Sequence, residues 1–150
     1  MKLSPIQLEG YALIDLAYRA NQDHRPGQPT AYGEEDILAT TTLERDAADQ
    51  HRWSVVLKFQ LQPRPSANGP YHIALHLAGV IRTAPDFSVD DLETVVRVSG
   101  ASVLYGIARE IVRHITSTGP FLPVLIPTVS FRPEPKSDQR PQEIAAGAPK

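Results

Sequence analysis

Few residues in this chain have the type and spacing that chemistry needs. His72 and His76 lie at i and i+4. On a helix that spacing brings two imidazoles to one metal ion. On a strand it holds them about 13 Å apart, at roughly 3.3 Å per residue. They sit in YHIALHLAGVIR, where Ile73, Leu75 and Leu77 alternate with His72, Ala74 and His76. Two solvated histidines on a sheet face are therefore expected. His24, His51 and His114 are scattered, with no ligand-type partner nearby in sequence. Asp90, Asp91 and Glu93 would suit acid–base work, but they open a helical pattern, where carboxylates stabilise the helix dipole. Ser99-Gly100-Ala101-Ser102 is not a nucleophile elbow, since no G-x-S-x-G is present. Neither a G-x-G-x-x-G nor a Walker loop occurs. Arg109, Glu110, Arg113 and His114 share the polar side of a helix, with Glu110 in reach of Arg113 and His114. The residues point away from an enzyme and imply no cofactor and no metal.

Bulk composition narrows the class further. The chain has 150 residues, 41% hydrophobic and 21% charged, which fits one globular domain. Fifteen basic and seventeen acidic residues leave a net charge of -2, which argues against nucleic-acid binding, where phosphates call for an excess of Lys and Arg. There is no cysteine, so a disulfide framework and thiolate chemistry are excluded. The first twenty residues contain Glu9 and Asp15 and no basic segment leading into an apolar run, so no signal peptide is expected. No apolar run approaches the roughly 20 residues of a membrane span. A cytoplasmic protein without membrane insertion is the expectation.

The elements that must position any site follow from periodicity. PIQLEGYALIDLAY, residues 5–18, alternates: Ile6, Leu8, Ala12, Ile14 and Leu16 share one parity, with a bulge expected at Gly10. Residues 20–36 have the Gly, Pro, Asn and Asp content of a long surface loop, in which Tyr32 is the only aromatic residue. Such length marks a crossover and, often, a functional loop. ILATTTLERD (37–46) is β-branched and predicts a second strand. HRWSVVLKFQLQ (51–62) alternates Trp53, Val55, Leu57, Phe59 and Leu61 with Ser54, Val56, Lys58, Gln60 and Gln62 and predicts a third. After the turn-forming PRPSANGP, YHIALHLAGVIR predicts a fourth, with Gly79 shifting the parity. Next, Ser88 is positioned to cap a short helix ending near Val98, and Ser99-Gly100 separates it from a longer one. Strands first and helices last define an α+β fold: a four-stranded antiparallel sheet with a long crossover after strand 1, covered by a short and a long C-terminal helix. Residues 1–131 form a single domain on this reading, and the proline-spaced residues 132–150 a disordered tail.

One stretch, Gly100 to Phe131, lacks a simple explanation. Leu104, Ile107, Ala108, Ile111, Val112 and Ile115 give the long helix an apolar stripe. Gly106 inside it costs roughly 1 kcal/mol relative to Ala, and close approach of another backbone would be a reason to carry it. Thr118-Gly119-Pro120 stops the helix, with glycine suited to a left-handed cap. Phe121, Leu122, Val124, Leu125, Ile126, Val129 and Phe131 then follow with no helical period and almost no charge. Such a run is either core or apolar surface presented to something else.

The same stretch resembles the SecB family of export chaperones. The family pattern is approximately Gly-Ala, then Leu-Phe-Pro-Tyr-Ala-Arg-Glu, Gly-Pro-Phe-Pro and Leu-Pro-Pro-Val/Ile-Asn-Phe. Here Gly100-Ala101 is followed by Leu104-Tyr105-Gly106-Ile107-Ala108-Arg109-Glu110, then Gly119-Pro120-Phe121, then Ile126-Pro127-Thr128-Val129-Ser130-Phe131. The match covers about a fifth of the chain in detail. Departures are Gly106-Ile107 in place of Pro-Tyr, Ser130 in place of Asn, and Arg132-Pro133-Glu134-Pro135 where the family has a second helix.

The resemblance implies an ATP-independent holdase for unfolded polypeptide clients, assembled as a dimer of dimers with its long helices sandwiched between sheets. It implies client contacts along Tyr32, Phe121, Leu122, Val124, Leu125, Ile126, Val129 and Phe131. It also implies a subunit contact at Tyr105, Gly106, Arg109 and Arg113. In the family an acidic exposed sheet face docks the SecA motor. The outward residues here include Arg52, Lys58, His72, His76 and Arg82, so a single dedicated partner, such as an antitoxin, is the alternative to general export.

Overall fold

The computed structural model describes residues 1–133. Four strands form one antiparallel sheet: β1 (Ile6–Ala20), β2 (Ile37–Arg45), β3 (Arg52–Leu61) and β4 (Tyr71–Thr83). Their spatial order is β1-β4-β3-β2. The β2–β3–β4 meander places β2 at one edge, and β1 closes the other edge against β4. The segment between β1 and β2 must therefore cross from one edge of the sheet to the other, which explains its length.

Alternation in β3 and β4 is uninterrupted. Val55, Leu57, Phe59 and Leu61 of β3, with Tyr71, Ile73, Leu75, Leu77 and Ile81 of β4, point to one face and form most of the core. That face is covered by a helix, α1 (Leu92–Thr116). The opposite face carries Lys58, His72 and His76, and no helix of the described residues packs on it. His72 and His76 are separated along β4 as a strand demands, and no metal-holding cluster occurs among the described residues.

Three expectations need correction. First, α1 is continuous from Leu92 to Thr116, not two helices broken at Ser99-Gly100. Its N-cap is Asp91, whose carboxylate accepts from the Thr94 amide at 3.1 Å, rather than Ser88. Gly100 is a packing glycine: a Cβ there would lie 2.9 Å from Val55 Cγ2, so its absence lets the helix settle on β3. Second, Gly79 does not shift the parity of β4, since the β3–β4 register runs through it unbroken. It leaves room for Leu104, whose Cδ2 would lie 2.9 Å from an added Cβ. Third, Gly119 does not take the left-handed conformation, and the helix ends with Ser117 in right-handed geometry. A Cβ on Gly119 would instead collide with the Tyr71 hydroxyl.

Strand β1 is less regular than its sequence suggests. The expected irregularity at Gly10 is present, and a second lies between Leu13 and Asp15. Each inserted residue flips the parity. Ile6, Leu8, Leu16 and Ala20 pack against the core, while Tyr11, Leu13, Ile14 and Tyr18 remain exposed along this edge.

Candidate functional site

After α1 the chain turns back along its own helix. Thr116 organises the turn: its hydroxyl donates to the Val112 carbonyl at 2.7 Å and accepts from the Val124 amide at 3.0 Å. Tyr71 acts from the sheet, its hydroxyl accepting from the Phe121 amide at 2.9 Å and donating to the Phe121 carbonyl at 3.2 Å. Residues 121–131 then run extended, without secondary structure. No helix follows Phe131 within the described residues, and the expectation for the tail beyond Pro133 lies outside them.

Two side chains of α1 fasten this extended segment. The Tyr105 hydroxyl donates to the Pro127 carbonyl at 2.7 Å. Arg109 Nε donates to the Ile126 carbonyl at 3.1 Å. Prolines at 123 and 127 remove backbone donors from the segment, and helix side chains hold its carbonyls instead. Tyr105 is only 3% exposed and stacks edge-on with Phe59 and Phe131. Its placement in a subunit contact is therefore corrected: Tyr105 belongs to the protomer's own core, and half-buried Arg109 also serves an internal bond. Gly106 is exposed, with nothing within 4 Å of an added Cβ. Arg113 is exposed and paired with Glu110 at 2.8 Å.

The apolar run is split between core and surface by alternation. Val124 and Ile126 are 4% and 0% exposed. Ile126 is out of a partner's reach, which corrects its expected place among contact residues, whereas Val124, though buried, still borders the groove beside Leu122 and Leu125. Leu122 and Leu125 are 84% and 62% exposed. Phe121, Val129 and Phe131 are half-buried and pack against the core.

Opposite this segment stands the crossover. Between them lies a groove of about 690 Å³, walled by His24, Pro26 and Gln28 on the crossover side and by Phe121, Leu122 and Leu125 on the other. His24 meets Phe121 edge-on, with ring centroids 4.7 Å apart. Phe121 in turn meets Tyr71 at 5.8 Å. A second groove, about 680 Å³, runs between the start of β2 (Ile37, Ala39) and Val129 to Phe131. Tyr32 lines both. Its hydroxyl is buried without a partner among the described residues, and desolvation plus the nearby Asp36 charge push its pKa up to about 12.

Asp36 fixes the far end of the crossover. Its buried carboxylate accepts from the Gly33 amide at 2.7 Å, from the Arg64 amide at 2.8 Å and from Arg64 Nε at 3.0 Å. The Arg64 side-chain bond, with the backbone donors, lowers its pKa to about 2 against the desolvation that opposes it.

Sequence reasoning brought Tyr32, Phe121, Leu122 and Leu125 to one site, but it missed His24, Pro26 and Gln28. Only the presence of a long proline-containing crossover hinted at that wall. The exposed apolar residues of β1 were missed because one parity was assumed for the whole strand.

An open antiparallel sheet with one face under a long helix, and with grooves between a crossover and an extended post-helical segment, defines an α+β fold. The sequence model of the SecB family, described as preprotein translocase subunit SecB, matches residues 26–133. The chain belongs to the SecB family. Among solved structures, it resembles a SecB-like chaperone of Mycobacterium tuberculosis in complex with a ChAD peptide from the HigA1 antitoxin. That match has a TM-score of 0.64 and 18% identity, covering 85% of this chain and 92% of the other. A protein of unknown function from Streptococcus agalactiae matches at a TM-score of 0.45 and 18% identity, over 82% and 97% of the two chains. No match is found among curated proteins.

Proposed function

We propose that this protein is an ATP-independent chaperone of the holdase type, which takes extended apolar segments of unfolded polypeptides into the groove between the crossover and residues 121–125. The observation that carries this reading is the exposure of Leu122 and Leu125 beside Phe121 on the wall of an open groove of about 690 Å³. Two exposed leucines beside Phe121 on one groove wall form an apolar patch, and contiguous exposed apolar surface marks an interaction site. The groove is open to solvent, so it favours several modest contacts over one enclosed pocket. Affinity then accumulates along the client by multivalency.

Assembly is part of the proposal. Tyr11, Leu13, Ile14 and Tyr18 lie exposed on an edge strand, where unpaired backbone groups and apolar side chains favour pairing with a second copy. The outer face of α1, with exposed Val103 and Gly106, would carry the second contact of a dimer of dimers. A cytoplasmic setting is part of the same proposal; no described helix is long and apolar enough to cross a membrane.

Suppression of aggregation tests the function. At stoichiometric ratio and without nucleotide, the protein should keep a chemically unfolded client soluble. Unchanged aggregation would refute the reading.

A second reading is a chaperone dedicated to one partner, such as an antitoxin, with no role in SecA-dependent export. Two observations favour it: the antitoxin peptide on the structural neighbour, and Lys58, His72 and His76 on the open sheet face. Capture from the native host separates the two, since one stoichiometric partner supports the dedicated role and many clients support the general one.

A further inference from the structure

The crossover wall of the groove has almost no apolar anchorage of its own. From Gln22 to Ala31 every residue but His24 is exposed. Burial therefore does not position this wall, and its hydrogen bonds must.

Those bonds converge on one residue across the sheet end. Asn68 lies in the β3–β4 turn with φ of 51°, the left-handed region that Asn tolerates better than other side chains. Its Oδ1 accepts from the Arg25 amide at 2.8 Å. Its Nδ2 donates to the Arg25 carbonyl at 3.1 Å and to the Gln28 carbonyl at 3.2 Å. Its own carbonyl accepts from His24 Nδ1 at 2.8 Å and from Thr30 Oγ1 at 3.0 Å. The carboxamide thus reads both backbone groups of Arg25, much as a neighbouring strand would. One residue holds the crossover at Arg25, Gln28, Thr30 and His24, the last of which stacks on Phe121 across the groove mouth.

We propose that Asn68 is the positioning residue of the groove: its carboxamide latches the crossover and so sets the width of the slot facing Phe121, although Asn68 itself does not line that slot. The turn beneath is built for this. A Cβ on Gly69 would lie 2.8 Å from Tyr32 Cε1, so the turn sits tight under the crossover. Asn21 adds a second tie, its Nδ2 donating to the Gly69 carbonyl at 2.7 Å, but it acts at the end of β1 and leaves residues 24–30 to Asn68. The consequence for clients rests on the holdase reading, whereas the consequence for the crossover does not.

Two measurements test it. Asn68→Gly keeps the left-handed turn and removes every side-chain bond. Asn68→Asp keeps the acceptor for the Arg25 amide and loses the donors. Hydrogen exchange of residues 22–31 should accelerate about tenfold in Asn68→Gly and less in Asn68→Asp, with β3 and β4 amides unchanged. Binding of reduced, carboxymethylated α-lactalbumin, which stays unfolded, should weaken about fivefold in Asn68→Gly, with Asn68→Asp in between. Unchanged crossover exchange overturns the latch. Faster exchange with unaltered client affinity overturns its control of the groove. Failure of the unsubstituted protein to bind this client would refute the holdase reading, and the exchange result would still decide the latch.

Discussion

Replacing Leu122 and Leu125 together by serine should separate binding from folding. Both side chains are mostly in water, at 84% and 62% exposure, so the protomer loses little packing when they are cut. A fully buried leucine contributes about 2 kcal/mol, so a client that covered all the exposed area of both would gain about 3 kcal/mol. The groove is open on one side, and a bound segment covers about half of that area. The expected loss is about 1.5 kcal/mol, or roughly tenfold in affinity. The assay is fluorescence anisotropy of a labelled, permanently unfolded client, with thermal unfolding of the variant alongside. Affinity should fall about tenfold while the melting temperature stays within about 2 °C. An unchanged affinity in a folded variant would show that clients do not use this wall.

Tyr105→Phe removes the bond to Pro127 and should destabilise the protein by about 1 kcal/mol in denaturant titration, because Pro127 is an exposed residue whose carbonyl can turn to water instead. Gly106→Ala should stabilise an isolated protomer by up to about 1 kcal/mol, since helix propensity improves and nothing obstructs the new methyl. If α1 meets another subunit there, sedimentation will show weaker assembly in the same variant. Asp36 has a folded pKa of about 2, below its ordinary value of 3.8. Its contribution is therefore complete above about pH 4 and is lost as pH falls towards 2. Asp36→Asn should flatten that part of an acid-unfolding profile and cost about 2 kcal/mol at neutral pH; an unaltered acid limb would refute the assignment.

Several features were legible in the residues alone. The alternation of Trp53 to Leu61 and of Tyr71 to Leu77 determined both central strands and their buried parity, because a strand with one core-facing side permits only one register. The length and polarity of residues 20–36 marked a crossover. The Gly100 to Phe131 motifs carried the family. What the sequence could not determine depended on contacts between distant segments. Gly100 looks like a break until Val55 is placed beneath it, and then it is a clearance. The parity of β1 depends on bulges set by pairing with β4, which no single strand reveals. Among seven apolar residues after Gly119, only the anchoring of the backbone by Tyr71, Tyr105, Arg109 and Thr116 decided that Val124 and Ile126 point inward and Leu122 and Leu125 outward. Composition could make that segment apolar. The orientation that splits it into core and groove wall came from hydrogen bonds reaching across the fold.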